Sequence, residues 1–439
     1  MLKINLFNRK EGKMLVNFRV ENFKSFKDLT EFSMEATKLK NLRESNTFDI
    51  NNISLLKSAV IYGANASGKS SLLKAMETMK EFIENSISIK ETDNFEVQPF
   101  LLNNETAKKE TFFEIEFIID EILYRYGFNI AIDAIIRKEW LFQKKLQSKA
   151  RENRLFERDE QEIILGNLFK EGRLLSEKTR ENALFLSVVA QFNGVISEKI
   201  LLWFKQFNHI SNTRSDEFKH YSFDKLEDDK FKEKIVTLIK NADVGISDIK
   251  KKKISYEELK VDNPKLDELP SFLIDEMKKN GLSTIETSHI QYKEENSFNQ
   301  FISFPLKMES DGTQKLLALS APIIETLITG EILVVDELDN SLHTELVQEI
   351  VKLFNSEETN PNRAQLIFTT HDTNLLNQKF FRRDQIWFTQ KDIYGASELY
   401  SLIDYGKGKT RDDLVLEKNY LNGNFGAIPQ IVSLSYEDE

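Results

Sequence analysis

The residues with the clearest chemistry lie in one short run, Gly63-Ala-Asn-Ala-Ser-Gly-Lys-Ser-Ser71, which fits the spacing Gly-x-x-x-x-Gly-Lys-Ser. Glycines at Gly63 and Gly68 let a backbone curl until its N–H groups converge on one anion. Lys69 then offers a mobile cation to β- and γ-phosphates, and Ser70 offers a hydroxyl suited to a divalent cation. Asn65, Ser67 and Ser71 place further polar groups around the same anion. Such a loop works only where a strand passes into a helix, because the helix start adds free N–H groups and the positive end of its dipole. Both flanks are present. Ser58-Ala-Val-Ile-Tyr62 favours a strand, and Ser71 to Lys80 has apolar residues at helical spacing, with the helix expected to run to about Asn85.

A second group of residues complements the loop. Gly330-Glu-Ile-Leu-Val-Val-Asp-Glu337 is an apolar strand that ends in two acids. Asp336 suits the shell of Mg²⁺, which prefers hard oxygen ligands, and Glu337 suits polarising an attacking water. Gln365-Leu-Ile-Phe-Thr-Thr-His371 is another buried strand, and His371 at its end can hydrogen-bond both a terminal phosphate and a water. Gln98, in Gln98-Pro99-Phe100, is a further candidate for the cation shell. A third piece, Glu309-Ser-Asp-Gly-Thr-Gln314, opens an apolar helix from Lys315 to about Leu327 that Pro322 can kink. Ser310, Asp311 and Gly312 therefore form a second anion site at a helix start. One chain with one phosphate loop does not need it, whereas two copies that sandwich ATP do.

The rest of the chain sets the limits. Its 439 residues are 40% hydrophobic, enough for two or three lobes with a core. A net charge of -11 and a pI near 5.3 argue against a globally basic nucleic-acid binder. Lys250 to Lys253 reads as a solvated run, with nucleic acid left open as a partner. The absence of cysteine removes thiol chemistry and fits a reducing cytoplasm, and no apolar run is long enough to span a membrane. Residues 1–13 read as an extension before a natural start at Met14, too short and polar for a signal peptide. Alternation predicts strands over Met14–Phe26 and a meander of Thr111–Ile119 and Leu123–Ile130 joined at Asp120-Glu121. Residues 146–290 are charged, poor in Gly and Pro, and mostly helix-patterned, with buried faces at Asn182–Ala190 and Ile196–Phe204 but no sustained heptad. Trp387–Asp392 and Ser397–Leu402 read as a closing hairpin.

In their order along the chain these pieces resemble the ATP-binding-cassette ATPases of the SMC/RecF-like branch. The resemblance implies an α/β fold: an ATPase head with a mostly parallel sheet and helices, an antiparallel β-lobe and a helical insertion. It divides the chain into 14–145 and 291–439 as the two parts of the head, with 146–290 inserted. It implies ATP and Mg²⁺ as cofactors, a homodimer or higher even assembly, and hydrolysis of ATP to ADP and phosphate. Carried over by position, Ser310 and Gly312 contact the γ-phosphate held by the other copy, and Asn340 and Ser341 of the D-loop Asn340-Ser-Leu-His343 lie across the dimer interface. The signature departs from Leu-Ser-Gly-Gly-Gln at Glu309, Asp311 and Thr313. A narrower likeness, carried by Asn22-Phe-Lys-Ser-Phe26, the phosphate loop, Glu309 to Leu317 and Tyr420-Leu-Asn-Gly-Asn-Phe-Gly-Ala-Ile-Pro429, is to bacterial stand-alone ATPases of the abortive-infection, RloA/AbiL-like group. That group implies regulation of a separately encoded effector in anti-phage defence. The stretch after His371 is too short for the Toprim nuclease domain of OLD-family relatives, so any nuclease is expected to be a partner. The alternatives are a RecF-like DNA-binding repair ATPase and an ATP-bound scaffold of low turnover.

Overall fold

The computed structural model describes residues 13–88, 97–147, 150–211, 215–262, 266–267, 269–280, 282–405 and 415–429. The expected extension over 1–13 lies almost wholly outside them. In chain order, β1 (Met14–Glu21) and β2 (Thr30–Ser33) precede a one-turn α1 (Arg43–Asn46) and the hairpin β3 (Thr47–Ile50) and β4 (Ile53–Leu56). Then come β5 (Ser58–Gly63), α2 (Lys69–Asn85), and β6 (Thr111–Ile119), β7 (Ile122–Ile130), β8 (Ile136–Lys145), β9 (Asn153–Asp159) and β10 (Glu162–Leu165). Helices α3 (Phe185–Gln191) and α4 (Val195–Lys205) lead to β11 (Phe207–Ile210). Next are α5 (Ser215–Lys225), α6 (Asp229–Asn241), β12 (Ile246–Ile254), α7 (Tyr256–Asp262), α8 (Ser271–Asn280), β13 (Leu282–Tyr292), β14 (Phe298–Pro305) and α9 (Asp311–Thr329). The chain closes with β15 (Ile332–Val335), α10 (Thr344–Asn355), β16 (Gln365–Thr369), β17 (Ile386–Lys391), β18 (Ser397–Ser401) and α11 (Leu416–Leu421).

These elements form two compact units. The first holds the described residues up to Ser211, then Thr326–Asp339, then those from Val347 onward. The second holds the described residues between 212 and Glu325, together with Asn340–Leu346.

The first unit contains two large sheets. One has six strands in the order β11-β15-β16-β5-β17-β18, parallel except for β18. Its inner strands are continuous apolar runs, as expected where both faces are covered: β5, β15 and β16 are buried at every position. The other sheet is antiparallel, in the order β10-β9-β8-β7-β6-β1-β2. Alternation decides its buried face. Phe113, Ile115, Phe117 and Ile119 of β6 and Tyr124, Tyr126 and Phe128 of β7 enter one core with Leu72, Met76 and Phe82 of α2. Each such side chain contributes about 1.5–3 kcal/mol by leaving water. Asp120 and Glu121 join β6 to β7 at the expected place, with φ of 50° and 59°, the mirror-image turn that matches strand twist. The closing hairpin is also present, as antiparallel β17 and β18.

The structure departs from the expected helical insertion over 146–290. Residues 153–165 extend the antiparallel sheet as β9 and β10, and Phe207–Ile210 pairs in parallel with β15 at the edge of the main sheet. Lys250 to Lys253 lies within β12. The second unit mixes α5 to α8 with a three-stranded sheet, β12-β13-β14. Among the described residues no single helix is long and apolar enough to cross a membrane.

Candidate functional site

Five parallel strands end at the same edge of the main sheet, and the singled-out residues of the first unit follow three of them. In an open α/β sheet the crevice beyond the carboxyl ends is where ligands sit. β5 runs into the loop Gly63–Gly68, and α2 begins at Lys69. Gly68 has φ of +120°, a conformation closed to side chains, so the loop can turn into the helix only with glycine here. The Lys69 ammonium donates to the carbonyls of Gly63 (2.8 Å) and Ala64 (3.1 Å), curled over its own loop. Ser67 is buried, and its hydroxyl lies 2.5 Å from that of Thr389 at the end of β17. The Ser397 hydroxyl donates to the Ser67 carbonyl at 2.6 Å, so two neighbouring strands fix the outer side of the loop. Asn65 and Ser70 are exposed and Ser71 is half-buried.

β15 and β16 supply the acids and the imidazole. Thr369, fully buried, donates from its hydroxyl to Asp336 Oδ1 at 2.6 Å and accepts from the Glu337 amide at 2.7 Å. One threonine thus orients the carboxylate of Asp336 and the backbone of Glu337, which sits in the left-handed region at φ 50°. A non-glycine residue held there stores about 1–3 kcal/mol of strain. The His371 amide donates to Asp339 Oδ2 at 3.2 Å, while Asp339 Oδ1 is buried with no hydrogen-bond partner among the described residues.

Electrostatics tie these groups into one site. Burial lowers Lys69 below the usual lysine range, and Asp336, Glu337 and Asp339 oppose the shift. Partial desolvation and the Lys69 charge lower His371, opposed by the same three acids. His371 is therefore held as a neutral imidazole near pH 7, able to donate from one nitrogen and accept at the other. Among the described residues no cluster of three or more His, Cys, Asp or Glu can hold a metal ion. For a Mg²⁺ that draws most of its shell from phosphates and water, the Ser70 hydroxyl and the Asp336 carboxylate are the hard-oxygen candidates among these residues.

Gln98 is exposed, on a loop whose Gln98 carbonyl accepts from the Lys24 amide at 2.8 Å. Asn22 anchors that loop: its buried side chain donates to Thr106, Lys109 and Glu110 carbonyls and accepts from the Phe100 amide. The Asn22–Phe26 run is thus a turn whose first residue holds a neighbouring loop in place.

Ser310, Asp311 and Gly312 belong to the second unit, at the start of α9. Ser310 accepts from the Thr313 amide at 3.2 Å and so caps the helix. Glu309, where the signature departs from its usual form, bonds to Thr287 and, at 2.7 Å, to His289 Nε2, both on β13. The Ser341 carbonyl presses so close to Gly312 that a Cβ there would collide with it. Signature and Asn340–His343 loop are thus in contact within this unit.

Sequence reasoning missed Thr369 as the clamp on both acids, Thr389 as the brace on Ser67, and the orphaned Asp339 oxygen. Thr369 stood in a run already singled out. Thr389 carried no local signal, because its role depends on β17 lying beside β5.

With this geometry in view, residues 58–377 match the family described as "AAA domain, putative AbiEii toxin, Type IV TA system". The chain belongs to that family. It is accordingly a nucleotide-binding domain of the AAA type. Two solved structures are similar: the SmcHead bound to the C-winged helix domain of ScpA, 14% identical, covering 88% of this chain and 97% of that one at a TM-score of 0.45; and the Smc head domain with an extended coiled coil bound to the C-terminal domain of ScpA derived from Pyrococcus furiosus, 14% identical, covering 89% and 96% at 0.40. No curated protein matches the chain.

Proposed function

We propose that this protein binds ATP–Mg²⁺ at the Gly63–Ser71 loop, hydrolyses it, and uses the nucleotide as the bond between two copies of itself. The observation that carries the reading is the convergence of Lys69, Asp336, Glu337 and His371, three strands of one parallel sheet bringing two acids, an imidazole and a loop lysine into one electrostatic group. Lys69 exchanges its two loop carbonyls for β- and γ-phosphate oxygens. Ser70 and Asp336 hold Mg²⁺, with Gln98 as a further candidate, and the ion when bound neutralises phosphate charge. Glu337 polarises the attacking water, and its strained backbone is fixed by Thr369 so that the carboxylate need not search for its position. His371 contacts the terminal phosphate and the water. The loop amides with Asn65, Ser67, Gly68 and Ser71 cradle the remaining phosphates.

Ser310, Asp311 and Gly312 act on the nucleotide of the other copy. Because the γ-phosphate is the shared contact, its loss on hydrolysis releases the pair. The biological role follows the family description and the resemblance to abortive-infection ATPases: a cytoplasmic switch whose engagement holds or frees a separately encoded effector, with phage infection as the trigger. Phosphate release from ATP tests the reading. Wild-type protein turns over, Lys69→Ala loses binding, and Glu337→Gln binds ATP without turning it over. A Glu337→Gln protein as active as wild type would remove Glu337 from its role.

A further inference from the structure

The family resemblance singles out Tyr420–Pro429 but gives it no chemistry. In the structure this segment is a built wall. α11 ends at Leu421, and the loop after it folds back along β17 and β18. The Ala427 amide donates to Gln390 Oε1 at 3.0 Å, the Tyr400 hydroxyl donates to the Phe425 carbonyl at 2.7 Å, and the Tyr420 hydroxyl donates to the Ala427 carbonyl at 3.1 Å. The Tyr420 ring stacks on Phe388 of β17 with centroids 5.5 Å apart. Gly426 has φ of +68°, and a Cβ there would strike the Gln390 side chain and approach the Tyr400 hydroxyl to 2.8 Å, so only glycine lets the loop lie this close. Three hydrogen bonds, a ring stack and a required glycine give a rigid surface.

That surface lines a cleft of about 880 Å³ together with the phosphate loop from Gly63 to Ser67 and with His371. The cap side is apolar: Leu421, Ala427, Ile428 and Pro429. Lys391 adds a cation on the strand between. A volume in the range of small-molecule sites and a lining that joins the phosphate loop to aliphatic side chains match the two halves of a nucleoside triphosphate. Phosphates need N–H groups and cations, whereas a base needs flat apolar contact and exclusion of water.

We infer that the Tyr420–Pro429 cap is the nucleoside-binding wall of the site, packing Leu421, Ile428 and Pro429 against the base while the phosphate loop of the same chain holds the phosphates. This rests on the nucleotide reading above. The cap then decides how strongly the base, as opposed to the phosphate chain, contributes to affinity.

The test compares two probes, Mg-ATP and Mg-tripolyphosphate, by calorimetry on the full chain. Leu421→Asp and Ile428→Asp are the variants, and Leu421 is 58% exposed, so its replacement does not threaten the core. Both should weaken ATP by about tenfold or more and leave tripolyphosphate within about twofold, whereas Lys69→Ala weakens both ligands. ATP binding unchanged in both cap variants, with Lys69→Ala still defective, would overturn the inference and leave the nucleotide reading standing. Equal losses for ATP and tripolyphosphate would also overturn it, since the cap would then act on the phosphate loop. Unchanged ATP affinity with loss of ATP-driven self-association would assign the wall to a second copy instead. Wild-type protein that binds neither probe would end the nucleotide reading, and this inference with it.

Discussion

Replacing Thr369 with valine keeps the side chain's outline and removes one hydroxyl, which makes two hydrogen bonds in a fully buried place. It donates to Asp336 Oδ1 at 2.6 Å and accepts from the Glu337 amide at 2.7 Å. A hydrogen bond to a carboxylate contributes about 1.5–3 kcal/mol, and the amide left without its acceptor adds a further desolvation cost of about 1 kcal/mol or more. The consequence for catalysis is larger than that for stability. Glu337 is held at φ 50°, and relief of its roughly 1–3 kcal/mol of strain favours movement once the amide is released. A reacting group displaced by about an ångström costs on the order of a hundredfold in rate. Thr369→Val should therefore lower kcat for ATP roughly 10- to 100-fold, with ATP affinity changed by less than about threefold, and Thr369→Ser should recover most of the rate. Phosphate-release kinetics and fluorescent-nucleotide titration read the two quantities separately. A valine variant with wild-type kcat would refute the claim that Thr369 positions the acids. A fall in affinity as large as the fall in rate would move its role from positioning Glu337 to binding.

Two further changes probe the scaffold. Arg382 is buried, pairs with Asp384 at 2.7 Å and donates to the carbonyls of Thr37, Leu39 and Asn41, so Arg382→Met should destabilise by about 3–5 kcal/mol by removing the counter-charge of Asp384, which keeps only its bonds from Thr37, and the donor to three carbonyls, as read by thermal unfolding; a loss under about 1 kcal/mol would contradict this. Glu77 on α2 lies beside Lys74 and His209: burial works to raise its pKa, but the His209 ring 3.2 Å away and the hydrogen bond from Lys74 outweigh burial and bring it down to about 2. A carboxylate depressed in the fold gives stability above its unfolded pKa that is lost as pH falls, so the gap between wild type and Glu77→Gln should be about 1–3 kcal/mol at pH 7 and close between about pH 4.5 and pH 2. A gap independent of pH would show that Glu77 acts by packing alone.

The sequence made the parallel sheet and its loop readable because both depend on contiguous residues. Ala59–Tyr62 and Ile332–Val335 are unbroken apolar runs, and the chemistry follows each strand within a few residues. The meander of β6 and β7 was equally plain, since Phe113 to Phe117 and Tyr124 to Ile130 alternate. Over 146–290 local pattern and final structure diverge. Asn153-Arg-Leu-Phe-Glu-Arg-Asp159 has two adjacent apolar residues and becomes a strand because β8 offers an edge to pair with. Phe207–Ile210 is too short to declare itself and is fixed by parallel pairing with β15. Lys250 to Lys253 is a largely exposed run, as its charge suggests, and what its sequence hides is the pairing that β12 gives it, Lys251 with Asp224 and Glu227 of the α5 region and Lys252 with Glu286 of β13. The same limit hid Thr389: nothing near it in sequence reveals that β17 will lie beside the phosphate loop.

In the proposed switch ATP joins two copies. The most direct test is the solution mass of Glu337→Gln protein with and without ATP–Mg²⁺, alongside the double variant that adds Ser310→Arg. The mass should double only with ATP–Mg²⁺, and the double variant should stay at the smaller mass while still binding the nucleotide. A Glu337→Gln protein that binds ATP yet keeps one mass throughout would contradict it.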